Sequence, residues 1–552
     1  MRVLPVVERE MRVAARRRGT YWNRVVMGAV AGICFGLFFL LGAGDQPAGE
    51  LSKNLFFTLA VIFVGAGLMM GVVYTADAVS EEKREGTLGL LFLTNLRGYD
   101  VVLGKLAASS MGAVYALLAI LPVLAIPLLM GGVTWGEFGR VVLVMVSGLF
   151  FSLAAGVMVS VWMTQALASM AVTFVLVVAV QVLPPLVALW YSEATGLPPL
   201  ETLMAPSLLY ALSLVEERVF RQEGFYFWYG QAATLGLGVV FLVVASGRAR
   251  VVWREDGGGR GNVREWLRGW LKGHAGRRRA WRDRMMDVDP CCWLGLRSWV
   301  KRWVVWVGLG CFVVGWLVGY GLWGEEWSQD EGVYFLAILL MHTVLRCWVA
   351  GEAVMALGPD RRSGALELLL CSGLGVGEVV RGRLLALRRQ FAGPVLGVLT
   401  LDVFATGLAL SGTYGAEDIV FMLNLVVCLA VVFVVDMVAL AWMGLWWGLV
   451  SRQSIRAWMR SALVVFGLPW ALFIGLILMA VVTNGIFVPD LEWAFFLAMY
   501  GVFSVGISVM GMVYARGRLL RDLRCEVSGG GAGDRGDVLE VVGAEGEGAE
   551  GV

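Results

Sequence analysis

The sequence predicts an all-α polytopic membrane protein. About twelve transmembrane helices are expected, as two parallel six-helix repeats with both termini in the cytoplasm. Three observations carry that expectation. The 552-residue chain is 59% hydrophobic and only 16% charged, with mean hydropathy +0.75. A soluble chain of this length carries more charge and shorter apolar runs. Its apolar runs are about 20 residues long, enough for a helix to cross roughly 30 Å of hydrocarbon. A polar segment between two such runs occurs twice, at a constant offset of 278 residues.

The runs place spans near 24–41, 55–75, 106–130, 141–161, 166–190 and 229–246 in the first half. In the second half they fall near 303–323, 333–357, 391–410, 419–449, 461–482 and 493–514. The run at 419–449 is too long for one straight crossing, so tilt or extension into the cytoplasm is expected. The first span has a long charged lead and no small-residue cleavage pattern, so it does not read as a signal peptide.

Loop charge sets the orientation. Arg2, Arg9, Arg12, Arg16, Arg17, Arg18 and Arg24 precede or open the first span, whereas the next loop holds only Lys53 as a basic residue. The loops at 324–332 and 411–418 carry acids and no Lys or Arg. The positive-inside rule then places both termini in the cytoplasm of a cell-membrane protein.

Four regions follow. Residues 1–246 form a first six-span half led by an interfacial helix, with Val3, Val7, Met11 and Ala14 on one stripe. Residues 247–302 form a basic linker with fifteen Lys or Arg against six acids. In it Val263, Trp266, Leu267, Trp270 and Leu271 make one face of a helix suited to anionic headgroups. Residues 303–514 form the second half, and 515–552 a Gly-rich acidic tail expected to be disordered. Pro5 and Arg12 match Pro290 and Arg297, and Arg16-Arg17 matches Lys301-Arg302, at an offset of 285. Both halves start on the same side, so the repeats are parallel. Between 191 and 228, Leu208, Leu209, Leu212 and Val215 suggest a re-entrant or interfacial helix.

The repeated segment is the most distinctive motif. Its first copy runs from Asp77 through five consecutive charges, Glu81, Glu82, Lys83, Arg84 and Glu85, to Gly86, Thr87 and a leucine run, then Asp100 and Gly104-Lys105. Its second copy holds Asp360 for Glu82, Arg362 for Arg84, Gly364 for Gly86, Ala365 for Thr87, Glu378 for Asp100, and Gly382-Arg383 for Gly104-Lys105. Glu352 stands for Asp77 when three extra residues around Leu357–Pro359 are skipped. Pro359 is expected to interrupt this copy. Gly86 should stop a helix, and Leu88, Leu90, Leu91 and Leu93 should bury against the bilayer face or a partner.

The order of acidic residue, Glu-Arg-rich turn, Gly-Thr-Leu, leucine run and Gly-Lys resembles the segment after the second span of ABC-2 type transporter permeases. The amphipathic lead and the long outer loop before the sixth span fit the same family. The resemblance covers nearly all of the first half. It implies a cytoplasmic coupling helix that meets an ATP-binding-cassette ATPase subunit, working as a dimer. Residues 81–87 would be the main contact and 360–365 a weaker one. It also implies that ATP and Mg are used by the partner, with no cofactor bound by this chain.

No phosphate loop contradicts that division of labour. The nearest approach, Gly98 to Gly104-Lys105, has five intervening residues and Leu106 where Ser or Thr should follow. The eight cysteines show no disulfide or zinc spacing, and only His274 and His342 are present, so no metal site is expected. The arginines are explained by topology rather than nucleic acid. No clustered catalytic groups lie in one aqueous loop, so an enzyme is not expected.

Two features remain inside the spans. Gly28, Gly32 and Gly36, Gly67 and Gly71, and Gly315 and Gly319 form small-residue stripes that suit close helix packing. His342, Arg346, Asp402 and Asp436 form a candidate buried polar network, with Arg346 facing Asp402 or Asp436. Such groups also fit the alternative reading, a proton-coupled secondary transporter using Asp402, Asp436 and His342. The substrate is not legible in the sequence.

Overall fold

The computed structural model describes residues 18–42, 47–87, 93, 97–255, 275–296, 299–329, 331–409, 416–451, 453–482 and 493–527. These form helices and no strand among the described residues. Eleven of the helices are long and apolar enough to cross a membrane. The helix at the first expected span contributes a shorter apolar stretch, Arg24–Gly36. This is a multi-pass membrane protein. The chain divides into two compact units, Met1–Arg260 and Gly261–Val552. The interfacial helix expected over Val3–Ala14, the linker helix over Val263–Leu271 and the tail beyond Val527 lie outside the described residues, whereas residues 515–527, expected within the disordered tail, continue the last helix to Val527.

The first unit contains α1 (Arg18–Gly42), α2 (Ala48–Tyr74), α3 (Ser80–Glu85), α4 (Gly98–Leu124), α5 (Ile126–Met130), α6 (Trp135–Trp162), α7 (Ala166–Thr195), α8 (Glu201–Met204), α9 (Leu208–Ser213) and α10 (Glu217–Glu255). Helix α6 is the hub, packed on α2, α4, α7 and α10. Its start is fixed by Thr134, whose side chain accepts from the Glu137 N–H at 3.2 Å. Glu137 reciprocates, accepting from the Thr134 N–H at 2.8 Å. Its other oxygen accepts from the Glu217 N–H at 2.9 Å, so one carboxylate caps both α6 and α10. At the same end Lys53 pairs with Glu216 at 2.5 Å. That hydrogen bond holds the Glu216 carboxyl below its ordinary range. The tie holds at neutral pH and is lost only as acidification protonates Glu216.

Between α7 and α10 the expected short helix is present as α9, and of the two alternatives, re-entrant or interfacial, it does not lie in an interface but packs into the unit. Leu208, Leu212 and Val215 are buried in the core of the unit, while Leu209 faces out. The cause is a polar anchor within α7: Gln181 Oε1 accepts from the Leu208 N–H at 2.7 Å and draws α9 inward.

The second unit contains α11 (Ala275–Val288), α12 (Pro290–Leu296), α13 (Trp299–Gln329), α14 (Glu331–Arg362), α15 (Ala365–Cys371), α16 (Val376–Ala409), α17 (Ala416–Val450), α18 (Ser454–Ala462), a π turn (Leu463–Gly467), α19 (Leu468–Val482) and α20 (Trp493–Val527). Helix α17 takes the central place, against α14 and α20. The long run at 419–449 is one continuous helix.

Two expectations are corrected. Pro359 does not interrupt its segment, because α14 runs through it to Arg362. Lying one turn from the helix end, it leaves few backbone bonds to lose, and its carbonyl still accepts from the Ser363 N–H at 3.0 Å. The glycine stripes do not all pack. A Cβ on Gly71 would lie 2.0 Å from the Ser152 carbonyl oxygen on α6, a true close approach. Gly67 is 4.0 Å from the Met145 carbonyl and Gly28 3.9 Å from that of Ala119. A Cβ on Gly32, Gly36 or Gly315 would meet nothing within 4 Å, since these positions point away from every neighbour.

Candidate functional site

The first copy of the repeated segment is a five-residue turn followed by α3. Thr75 ends α2 and Gly86, with φ 71°, ends α3 in the left-handed conformation that glycine adopts without strain. Its charges are spent on anchoring. Asp77 takes both guanidinium nitrogens of Arg84, at 2.7 and 2.8 Å. Arg84 also donates to the Thr164 carbonyl at 3.2 Å, just past the end of α6. Lys83 donates to the carbonyls of Val161 and Met163, at the α6 C-terminus. A cation there also meets the negative end of the helix dipole. Glu82 pairs with Lys105 at 2.6 Å and accepts from the Thr87 hydroxyl. Glu81 is partly buried.

The second copy repeats three of these ties. Asp360 pairs with Arg383, as Glu82 does with Lys105. Arg361 donates to the Leu449 carbonyl at the end of α17, as Lys83 does at the end of α6. Arg362 donates to Ser454 Oγ at 2.9 Å, reaching the stretch after α17 as Arg84 reaches the one after α6. Gly364, with φ 74°, separates α14 from α15. Asp100 and Glu378 share another role. Each accepts at 2.9 Å from the N–H three residues earlier, Arg97 or Gly375, and so caps the following long helix.

Several placements differ from expectation. Glu352 lies inside α14, more than two turns before its end, whereas Asp77 lies in the turn after α2. Gly104 is buried. A Cβ on Gly382 would fall 2.5 Å from Cys291 Cβ and 2.6 Å from an Asp289 oxygen, so this glycine admits α12. Leu93 is 73% exposed, while Leu88, Leu90 and Leu91 lie outside the described residues. In the second copy Leu366 is fully buried and Leu368 is 75% exposed. Sequence reasoning missed Ser160, whose buried hydroxyl accepts from the Val79 and Ser80 N–H groups at 2.8 and 2.9 Å. No spacing marks a lone serine in an apolar run as the cap of a distant helix.

Glu82 and Lys105 are thus positioning residues. Reversing one charge (Lys105→Glu) is expected to lower stability by about 2 kcal/mol. The double reversal Glu82→Lys/Lys105→Glu should recover most of that loss. Thermal unfolding of the three proteins in detergent reads the difference.

The intramembrane groups are brought together as two pairs. His342 Nε2 lies 2.8 Å from Asp402 Oδ2, tying α14 to α16. Arg346 lies 3.4 Å from Asp436 Oδ2, tying α14 to α17, and Ser508 on α20 donates to the other Asp436 oxygen at 2.6 Å. All four ionisable residues are buried. His342 stacks on Phe433 at 4.1 Å, and the Arg346 guanidinium lies over Phe433 and Phe466. The choice left open for Arg346 falls on Asp436. No group of three metal-ligating side chains occurs among the described residues.

Residues 9–245 match the family model described as ABC-2 family transporter protein. The first half is an ABC-2 transporter-family domain. No curated protein matches the chain. The match spans α1 to most of α10 and includes the first copy of the repeated segment. It supports a membrane permease of an ABC transporter, embedded in a bilayer and implying an ATPase partner. The ABC-2 domain thus contains the anchored α3, and the second half, beyond the match, carries the same three ties.

Proposed function

We propose that the two halves supply both membrane lobes of an ABC transporter, as parallel six-span repeats with both termini in the cytoplasm. A separate ATPase dimer hydrolyses ATP with Mg. It closes on nucleotide, pushes the segments at α3 and α15, and the lobes rock to open a path for a substrate. The observation that carries this reading is the anchoring shared by the two segments, one of them inside the family match. A coupling element transmits force only when fixed to the helices it must move, and these are fixed by charge at the ends of α6 and α17. The first copy, 81–87, would be the main contact and 360–365 the weaker one.

Because Glu82 and Lys83 are half-buried and Arg84 is tied to Asp77 and Thr164, the docking surface falls to what is exposed beside them, with Leu93 and Leu368 its apolar points. Affinity purification of the chain in mild detergent is expected to bring an ABC ATPase with it. Leu93→Glu and Leu368→Glu should each reduce its recovery without changing thermal stability, and Leu93→Glu should do so more. A chain that purifies with no ATPase, and whose transport survives ATP depletion but collapses with an uncoupler, would overturn this reading. That outcome would favour proton coupling through His342, Asp402 and Asp436.

A further inference from the structure

Beside the buried pairs of the second unit lies a cavity of about 150 Å³. Trp470, Phe473 and Tyr500 form one wall, with ring centroids 5.2 to 5.8 Å apart. Leu429 and other leucines form the rest, and among the described residues His342 and Arg346 supply its ionisable lining. The volume suits one aromatic ring, since apolar cavities of about this size hold benzene.

The polar floor is incompletely satisfied. Arg346 is 4% exposed, and its buried Nε has no hydrogen-bond partner. Its contact to Asp436 is a charge contact at 3.4 Å, and Asp436 Oδ2 also lacks a hydrogen bond. A guanidinium carries five N–H donors and no acceptor, so the floor calls for a ligand bearing an acceptor. Charge decides which acceptor. Arg346 and Asp436 cancel, and Asp402 stands against His342, so the floor holds no positive group without a carboxylate beside it and disfavours an anion in a low-dielectric site.

Among the described residues the first half does not repeat these four ionisable groups. Because α14 runs unbroken through Pro359, no residue is skipped in the structure, and at the offset of 278 His342, Arg346 and Asp402 correspond to Val64, Leu68 and Leu124. The tie at Leu449 matches that at Val161 at an offset of 288, which sets Asp436 against Gly148. Val64, Leu68 and Leu124 are buried core residues, so the first half fills this place with hydrocarbon.

We propose that this cavity binds a small uncharged amphiphile, an apolar or aromatic body with a hydrogen-bond-acceptor oxygen that takes the free Arg346 donor. The pocket follows the usual design of such sites, apolar walls with a few convergent polar groups. The proposal concerns binding by this chain and does not depend on which energy source drives transport.

Three probes of similar size separate the chemistries: acetophenone, ethylbenzene and benzoate. Saturable binding of each is measured on the full chain in lipid nanodiscs, against empty nanodiscs to remove lipid partition. Acetophenone is expected to bind roughly tenfold tighter than ethylbenzene, the worth of one hydrogen bond to a charged donor, and benzoate weakest. Leu429→Trp, which fills the cavity from its apolar side, should abolish saturable binding. The paired change Arg346→Met/Asp436→Leu, which leaves no charge unpartnered, should bring acetophenone to the level of ethylbenzene. Equal affinity for acetophenone and ethylbenzene in the unaltered chain, tightest binding of benzoate, or no saturable binding would overturn the proposal. So would acetophenone binding that survives Leu429→Trp.

Discussion

Asp436→Leu is expected to cost the second half about 3–5 kcal/mol, because it strands Arg346 as an unpaired charge. Arg346 is 4% exposed, and Asp436 is the carboxylate at its guanidinium. The change also leaves the Ser508 hydroxyl without the acceptor it now reaches at 2.6 Å. The companion Arg346→Met/Asp436→Leu should regain most of the loss, since apolar groups of similar size replace a buried ion pair at little net cost. Thermal unfolding in one detergent orders the three proteins: unaltered and double variant close together, single variant well below. If the single variant melts with the other two, the guanidinium is solvated and the pair is not buried as described.

Gly71→Ala is expected to be the most damaging change in the first half. The added methyl carbon would lie 2.0 Å from the Ser152 carbonyl oxygen and 2.7 Å from the Leu153 nitrogen. Backbone cannot rotate away as a side chain can, so α2 and α6 must separate. Thr75 Oγ1, which donates to the Gly71 and Leu153 carbonyls at 2.9 Å, would lose its seat at the same seam. Overpacking of this kind costs about 1–3 kcal/mol or more. Because the seam runs directly beneath α3, transport should fall further than stability alone explains. Gly65→Ala, two turns away on the same helix, is the control. Nothing lies within 4 Å of its Cβ, so the better helix propensity of alanine should leave the protein neutral or slightly stabilised. Unfolding midpoints and transport in reconstituted vesicles check both.

The helices were legible because a membrane span is written in long apolar runs, and most runs read from the sequence match one helix, although 106–130 is divided after Leu124 and 461–482 is divided by a π turn. The long stretch 419–449 was readable for the same reason, and so was the stop at Gly86, where only a left-handed residue fits. The site was legible in part. Spacing showed that Glu82 and Lys105 matched Asp360 and Arg383, but not that each pair closes on itself. Charge runs look alike whether they face a partner or fold back on helix ends. Ser160 and Gln181 were invisible because their partners are backbone groups far away in sequence, which no periodicity records. The glycine stripes misled for a similar reason. Spacing puts Gly32 and Gly71 in equivalent patterns, yet only Gly71 has a helix against it.

If α3 and α15 are the coupling segments proposed above, the grip of Lys83 and Arg361 on the last carbonyls of α6 and α17 would fix where load enters each half. It would be delivered end-on to a central helix of each unit, rather than sideways to a peripheral one. In the first unit that helix also shares its far-end cap, Glu137, with the start of α10. A thrust at one end of α6 would then reach the start of α10 at the far end through Glu137 and through Arg140, which pairs with Glu217 at 2.7 Å. The rod and its far bearing would then lie within the same half.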